Sequence, residues 1–132
     1  FVLAGIMALS TGTSWGSFGI LLPIAGDIVA TMDTNMLLPS LAAVLAGAVF
    51  GDHCSPISDT TILSSTGAGC NHMDHVLTQL PYALTAAITA AIGFLVLGLT
   101  GSTMLSFFLV TTLCIIILYG VNKKNALSNR LS

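Results

Sequence analysis

Residues 51–66 read GDHCSPISDTTILSST, and the fold turns on that stretch. It follows the apolar run 36–50, so residues 36–66 make one segment of 31 residues. As a single helix this segment would be about 46 Å long, half as long again as a hydrocarbon core of about 30 Å. Gly51 and Pro56 mark where it breaks, because proline lacks a backbone N–H and its ring clashes with the carbonyl four residues earlier. The spacing predicts a discontinuous helix over residues 36–68, unwound near 51–58 and ended by Gly67 and Gly69. Irregular backbone at that depth is tolerated only beside a polar cavity or buried in protein.

Working outward, residues 10–17 read STGTSWGS, with five hydroxyls and two glycines in eight residues. Apolar arms flank them, and each is too short for a simple crossing. Residues 1–29 are therefore expected to form a re-entrant helical hairpin with its tip near 10–17. Residues 30–35, with Asp33, read as a polar connection. On the other side, residues 78–99 and 104–121 are free of charge and read as two plain transmembrane helices. Pro81 is expected in the first turn of the former, where a missing N–H is harmless. The turn TGST at 100–103 is short enough to make them antiparallel neighbours. Residues 122–132 read as a polar, basic tail.

Composition agrees. Of 132 residues, 55% are hydrophobic and 6% charged, against about 25% charged in a soluble domain. That excludes an ordinary soluble enzyme, a nucleic-acid binder and a disordered chain. The chain reads as an all-α integral membrane protein with lipid as its surroundings. It starts on Phe1 inside an apolar run, so it is expected to be the C-terminal portion of a longer transporter domain. Lys123, Lys124 and Arg130, its three basic residues, all lie after the last span. The positive-inside rule then places the C-terminus in the cytoplasm. Cys54, Cys70 and Cys114 form no disulfide pattern.

All five acidic residues are Asp. Asp27, Asp33 and Asp74 fall in expected loops, whereas Asp52 and Asp59 flank the broken helix. No Lys or Arg lies within sixty residues of either. Carboxylates at membrane depth are expensive and mark ion pathways. Asp52, Asp59, Ser55, Ser58 and Thr60 are the expected ion-binding residues, with Thr61 nearby. Oxygens of this kind suit a small hard cation such as Na+, held chiefly at Asp52 and Asp59. Asp59 has an alternative as an N-cap of the second half-helix. Thr11, Thr13 and Ser14 at the hairpin tip are further candidate contacts, or else a polar surface loop. His53 is a candidate proton relay, since imidazole titrates near neutrality. The alternative is a hydrogen bond within the broken helix. Cys70, His72, Asp74 and His75 are metal-ligand types, but their spacing matches no usual zinc pattern, so they read as a polar turn.

The run GDHCSPISDTTILSSTGAGCNHMDHVLTQLPYAL, residues 51–84, resembles the NhaC family of Na+/H+ antiporters, as does GTSWGSFGILLPIA, residues 12–25. Asn71 stands where many relatives carry Asp. The resemblance implies an inverted-repeat ion transporter, each repeat pairing a re-entrant hairpin with a broken helix, in a bacterial inner (plasma) membrane. It implies exchange of Na+ for H+, both as transported ions with no cofactor, and no enzymatic step. The alternative it implies is a Na+- or H+-coupled organic anion exchanger, such as a malate/lactate antiporter. The N-terminal half of the same transporter would complete the site, and a homodimer is a further expected arrangement.

Overall fold

The computed structural model describes the backbone of residues 1–131 and side chains through Val121. Six α-helices follow one another, with no strand among the described residues: α1 Val2–Thr11, α2 Ser14–Met32, α3 Leu37–Cys54, α4 Asp59–Gly67, α5 His72–Thr100 and α6 Thr103–Leu131. A single 3-10 turn, Thr34–Met36, leads into α3. Among the described residues, four helical stretches are long and apolar enough to cross a membrane: Ser14–Met32, Thr34–Cys54, His72–Thr100 and Thr103–Val121.

The ends of these helices follow from their residues. α1 stops at Gly12, whose φ of 69° is one that side-chain-bearing residues rarely adopt, and whose N–H bonds the Ala8 carbonyl. Thr13 then caps α2, accepting from the Gly16 N–H. Asn71 caps α5 with its side-chain oxygen, accepting from the Met73 and Asp74 N–H groups. α5 closes on Gly101 at φ 67°.

Several boundaries differ from the expected ones. The hairpin reverses over Gly12 and Thr13 alone, rather than over residues 10–17, because the αL glycine and the threonine cap complete the turn in two residues. α2 continues through residues 30–32, which were read as a connection. At 19 residues it is as long as the bilayer core is thick, whereas α1 has 10. The break in the discontinuous helix is shorter than residues 51–58. Gly51, Asp52, His53 and Cys54 stay helical, and only residues 55–58 unwind, since Pro56 disfavours helical backbone chiefly at the residue before it, Ser55, which is extended. α5 starts at His72, not near residue 78, so Pro81 lies inside the helix rather than in its first turn. The polar turn at Cys70–His75 shrinks accordingly, because the Asn71 cap pulls His72 and its successors into α5. α6 extends helical backbone to Leu131; the side chains of the expected tail lie outside the described residues.

Packing is inside-out by the standard of a water-soluble domain. The largest fully buried side chains are Ser17, Ser55 and Ser58, and the apolar core is mostly Ala4, Ala8, Val44 and Ala48. Leu3, Trp15, Met32, Leu38 and Leu99 face outward. Such a surface is stable only in an apolar solvent, where helices associate through close backbone contact rather than by hiding leucines.

That contact is closest between α1 and α3. A Cβ on Gly51 would run into the Gly5 carbonyl oxygen, and one on Gly47 into the Phe1 carbonyl oxygen. Gly47 and Gly51 are four residues apart on one face, the small-xxx-small spacing of membrane helix pairs. The order Phe1 beside Gly47, Gly5 beside Gly51 and Gly12 beside Ile57 makes α1 and α3 parallel. α5 runs antiparallel to α3: Gln79 meets the end of α3 at His53, while Leu97 and Gly98 lie beside Met36 and Pro39 at its start. The hairpin turn thus reaches the level of the helix break.

Candidate functional site

Asp52 sits in the last turn of α3, about 22 Å along that helix from Leu37. It is 4% exposed. Three hydroxyls donate to its carboxylate. Ser58 reaches Oδ1 at 2.7 Å from the unwound segment, Thr60 reaches Oδ2 at 3.4 Å from α4, and Ser14 reaches Oδ2 at 3.2 Å from the start of α2. Ser58 and Thr60 also lie 2.8 Å apart, so with the Ser58 proton on Asp52 the single Thr60 proton is shared between Ser58 and Asp52. The break is what brings Ser58 back to Asp52, since six residues along a straight helix would place it on another face.

Two further hydroxyls are buried without a hydrogen-bonding partner among the described residues: Ser55 Oγ, in the unwound segment, and Thr61 Oγ1, in α4. Leaving a buried hydroxyl unpaired costs about 1–3 kcal/mol, and such groups call for a functional explanation. Ser55 and Thr61 flank the segment that holds Ser58 and Thr60, so the break carries more oxygen donors than its own hydrogen bonds consume.

The other expected residues are placed as follows. Asp59 is exposed, and its carboxylate accepts from the Thr60 N–H at 2.8 Å, outside the Asp52 hydroxyl cluster. Thr11 donates back to the Met7 carbonyl of its own helix, and Thr13 is committed to the α2 cap. Of the three tip hydroxyls, Ser14 alone among them contacts Asp52. His53 is exposed and lines an apolar groove between α3 and α5, adjacent to Asp52 in sequence but turned from its cluster.

Two residues of α5 outside the expected site, His72 from the expected polar turn and Gln79, reach the break. His72 Nδ1 lies 3.0 Å from Ser65 Oγ and its Nε2 lies 2.6 Å from the Pro56 carbonyl oxygen. Gln79 Nε2 donates to the His53 carbonyl at 3.2 Å. The available signal was Asn71 followed three residues later by Asp74, an N-terminal capping pattern that starts α5 early and sets both side chains on the helix.

Helices of membrane-spanning length, an apolar exterior, and a buried carboxylate in a hydroxyl-lined break define an integral membrane protein with a buried polar site. The chain belongs to the Na+/H+ antiporter family, whose family model matches residues 1–99. It is 58% identical over 124 residues to an uncharacterized protein of Haemophilus influenzae, covering 94% of this chain and 24% of that protein. An uncharacterized Na+/H+ antiporter of the same organism is 39% identical over 97 residues, covering 74% of this chain and 20% of its own length. A malate-2H+/Na+-lactate antiporter of Bacillus subtilis is 35% identical over 100 residues, again 74% and 20%. The chain therefore spans about a fifth to a quarter of the length of these relatives. No solved structure matches it.

Proposed function

We propose that the chain forms part of a secondary active transporter that exchanges Na+ for H+ at Asp52. The observation that carries this reading is the buried Asp52 carboxylate, faced by Ser14, Ser58 and Thr60 from three separate segments. When ionised, the carboxylate offers a hard anionic oxygen and the hydroxyls turn their lone pairs to a cation, the donor set that suits Na+. When the carboxylate is protonated, its charge is gone and the cation loses its main ligand. One site thus holds either ion and not both, which is the coupling that exchange requires.

The hydroxyl of Ser55, buried and unpaired, is the next ligand in this scheme, and Asp59 supplies negative charge at the exposed start of α4. The remaining ligands come from an N-terminal part of the same transporter, in a bacterial inner membrane with the C-terminus cytoplasmic, either as a single copy or as a homodimer. Alternating exposure then follows from movement of the hairpin against the broken helix, because Ser14 and Asp52 sit on opposite sides of that contact.

The test is Asp52→Asn in the intact gene product, in everted vesicles, following dissipation of a pH gradient on addition of Na+. Exchange is expected to disappear, and full retention of exchange overturns the assignment. The 35% identity to a malate-2H+/Na+-lactate antiporter supports a second reading, Na+- or H+-coupled exchange of organic anions. Counterflow of labelled malate and lactate in the same vesicles separates the two: anion-dependent Na+ flux selects the second reading.

A further inference from the structure

We infer that His72 and Gln79 of α5 are positioning residues that hold the helix break in the shape required by Asp52. The inference rests on the proposed role of Asp52 for its functional consequence, but not for its structural one.

A helix end leaves its last carbonyls without intrahelical donors, and an unwound segment adds more. In a bilayer these groups have no water to turn to. At this break two such carbonyls receive donors from α5. Gln79 Nε2 donates to the carbonyl of His53, in the last turn of α3, and His72 Nε2 meets the carbonyl of Pro56, in the centre of the unwound segment. His72 and Gln79 are seven residues apart, two turns along one face of α5. The two bonds therefore bracket Cys54, Ser55 and Pro56 from one rigid helix.

The chemistry also sets the histidine's proton. A carbonyl oxygen can only accept, so Nε2 carries hydrogen. Nδ1 faces the Ser65 hydroxyl, which also lies 2.9 Å from the Ile62 carbonyl. That hydroxyl can point to either partner, so the imidazole keeps both contacts with Nδ1 bare or protonated. The ring then ties the unwound segment to α4 as well as α5. Ser58, two residues past Pro56, makes the shortest hydrogen bond to Asp52, at 2.7 Å. Displacing Pro56 displaces the hydroxyl that orients the carboxylate.

A reporter lies between the two bonds. Cys54 is buried, whereas Cys70 and Cys114 are exposed. In the intact gene product with every other cysteine, Cys70 and Cys114 included, replaced by serine, the rate of maleimide labelling at Cys54 reads the opening of the break. Labelling is expected to be slow, to speed up roughly tenfold in His72→Ala, and to return toward the starting rate in His72→Gln, whose amide can donate to Pro56. Gln79→Ala removes one donor and is expected to give a smaller increase, and it serves where His72→Ala fails to accumulate. Vesicles from the same variants are expected to show half-saturating Na+ raised roughly five- to tenfold with maximal rate less affected.

Unchanged Cys54 labelling in both His72→Ala and Gln79→Ala overturns the bracket. Faster labelling in His72→Gln equal to that in His72→Ala overturns the role of the donated hydrogen. Faster labelling with rescue, in a protein whose flux never responds to Na+, upholds the bracket and defeats the Na+ reading instead.

Discussion

Gly51→Ala tests whether the site depends on the α1–α3 contact. The added methyl would collide with the Gly5 carbonyl oxygen and lie 2.8 Å from the Leu9 nitrogen and 2.9 Å from the Gly5 carbonyl carbon, where ordinary contact begins at 3.4 Å. All three are backbone atoms, so no side chain can rotate away. α1 must retreat by about half an ångström or more, or the mutated turn must bend. Overpacking of this kind costs about 1–3 kcal/mol. The helix-propensity gain of Ala over Gly, about 0.8–1 kcal/mol, offsets only part of that. Gly19→Ala supplies the opposite case, since nothing lies within 4 Å of a Cβ there and only the propensity gain remains. The Tm of the detergent-solubilised intact gene product, followed by fluorescence size-exclusion, is expected to fall by roughly 1–4 °C for Gly51→Ala and to hold or rise for Gly19→Ala. Because Asp52 is the next residue and Ser14 follows the end of α1, the same variant is expected to weaken Na+ dependence. An unchanged Tm for Gly51→Ala, or an equal loss for Gly19→Ala, would refute the close-contact argument.

Other substitutions separate the roles within the site. Ser58→Ala removes the shortest donor to Asp52 and is expected to raise half-saturating Na+ tenfold or more, since a hydrogen bond to a charged group contributes about 1.5–3 kcal/mol; Asp59→Asn, at an exposed carboxylate, is expected to change it by much less in the same flux assay. Ser14→Ala is expected to raise it roughly two- to tenfold without lowering Tm by more than a degree or two, whereas Thr13→Ala, which removes the α2 cap, is expected to lower Tm and leave affinity nearer to wild type. Gly93→Ala drives a methyl into the Val110 side chain beside the Ser106 bond to the Gly93 carbonyl, so separation of α5 from α6 and a Tm loss are expected with little change in ion affinity.

Much was legible before any coordinates. Hydropathy and scarcity of charge settle an all-helical membrane chain, because uninterrupted apolar runs of about 20 residues suit a spanning helix and not the short alternating strands of a barrel. Gly51 and Pro56 place the break, and the rarity of intramembrane carboxylates picks out Asp52 and Asp59 beside it. These are local properties, written in consecutive residues, although α6 continues through residues expected as a tail. The early start of α5 was readable too, in Asn71 and Asp74, but was hidden by the polar residues around them.

The tertiary structure alone decided which polar groups meet. Asp52 and Asp59 look equivalent as two carboxylates around one proline, yet the first is buried and the second exposed, because the direction of a side chain depends on where the helix stops, to within one residue. Ser14 and Thr13 are neighbours in the chain, yet one bonds Asp52 and the other caps α2. Ser14 lies 38 residues from Asp52 and His72 lies 16 from Pro56. Such pairings depend on the angle and rotation with which whole helices pack; for α1 and α3 those are set by Gly5, Gly47 and Gly51 letting backbones touch. Sequence determined that this protein has a broken helix with a costly carboxylate in it; the packing of α1, α2 and α5 around that break determined which oxygens and which nitrogens hold it in place.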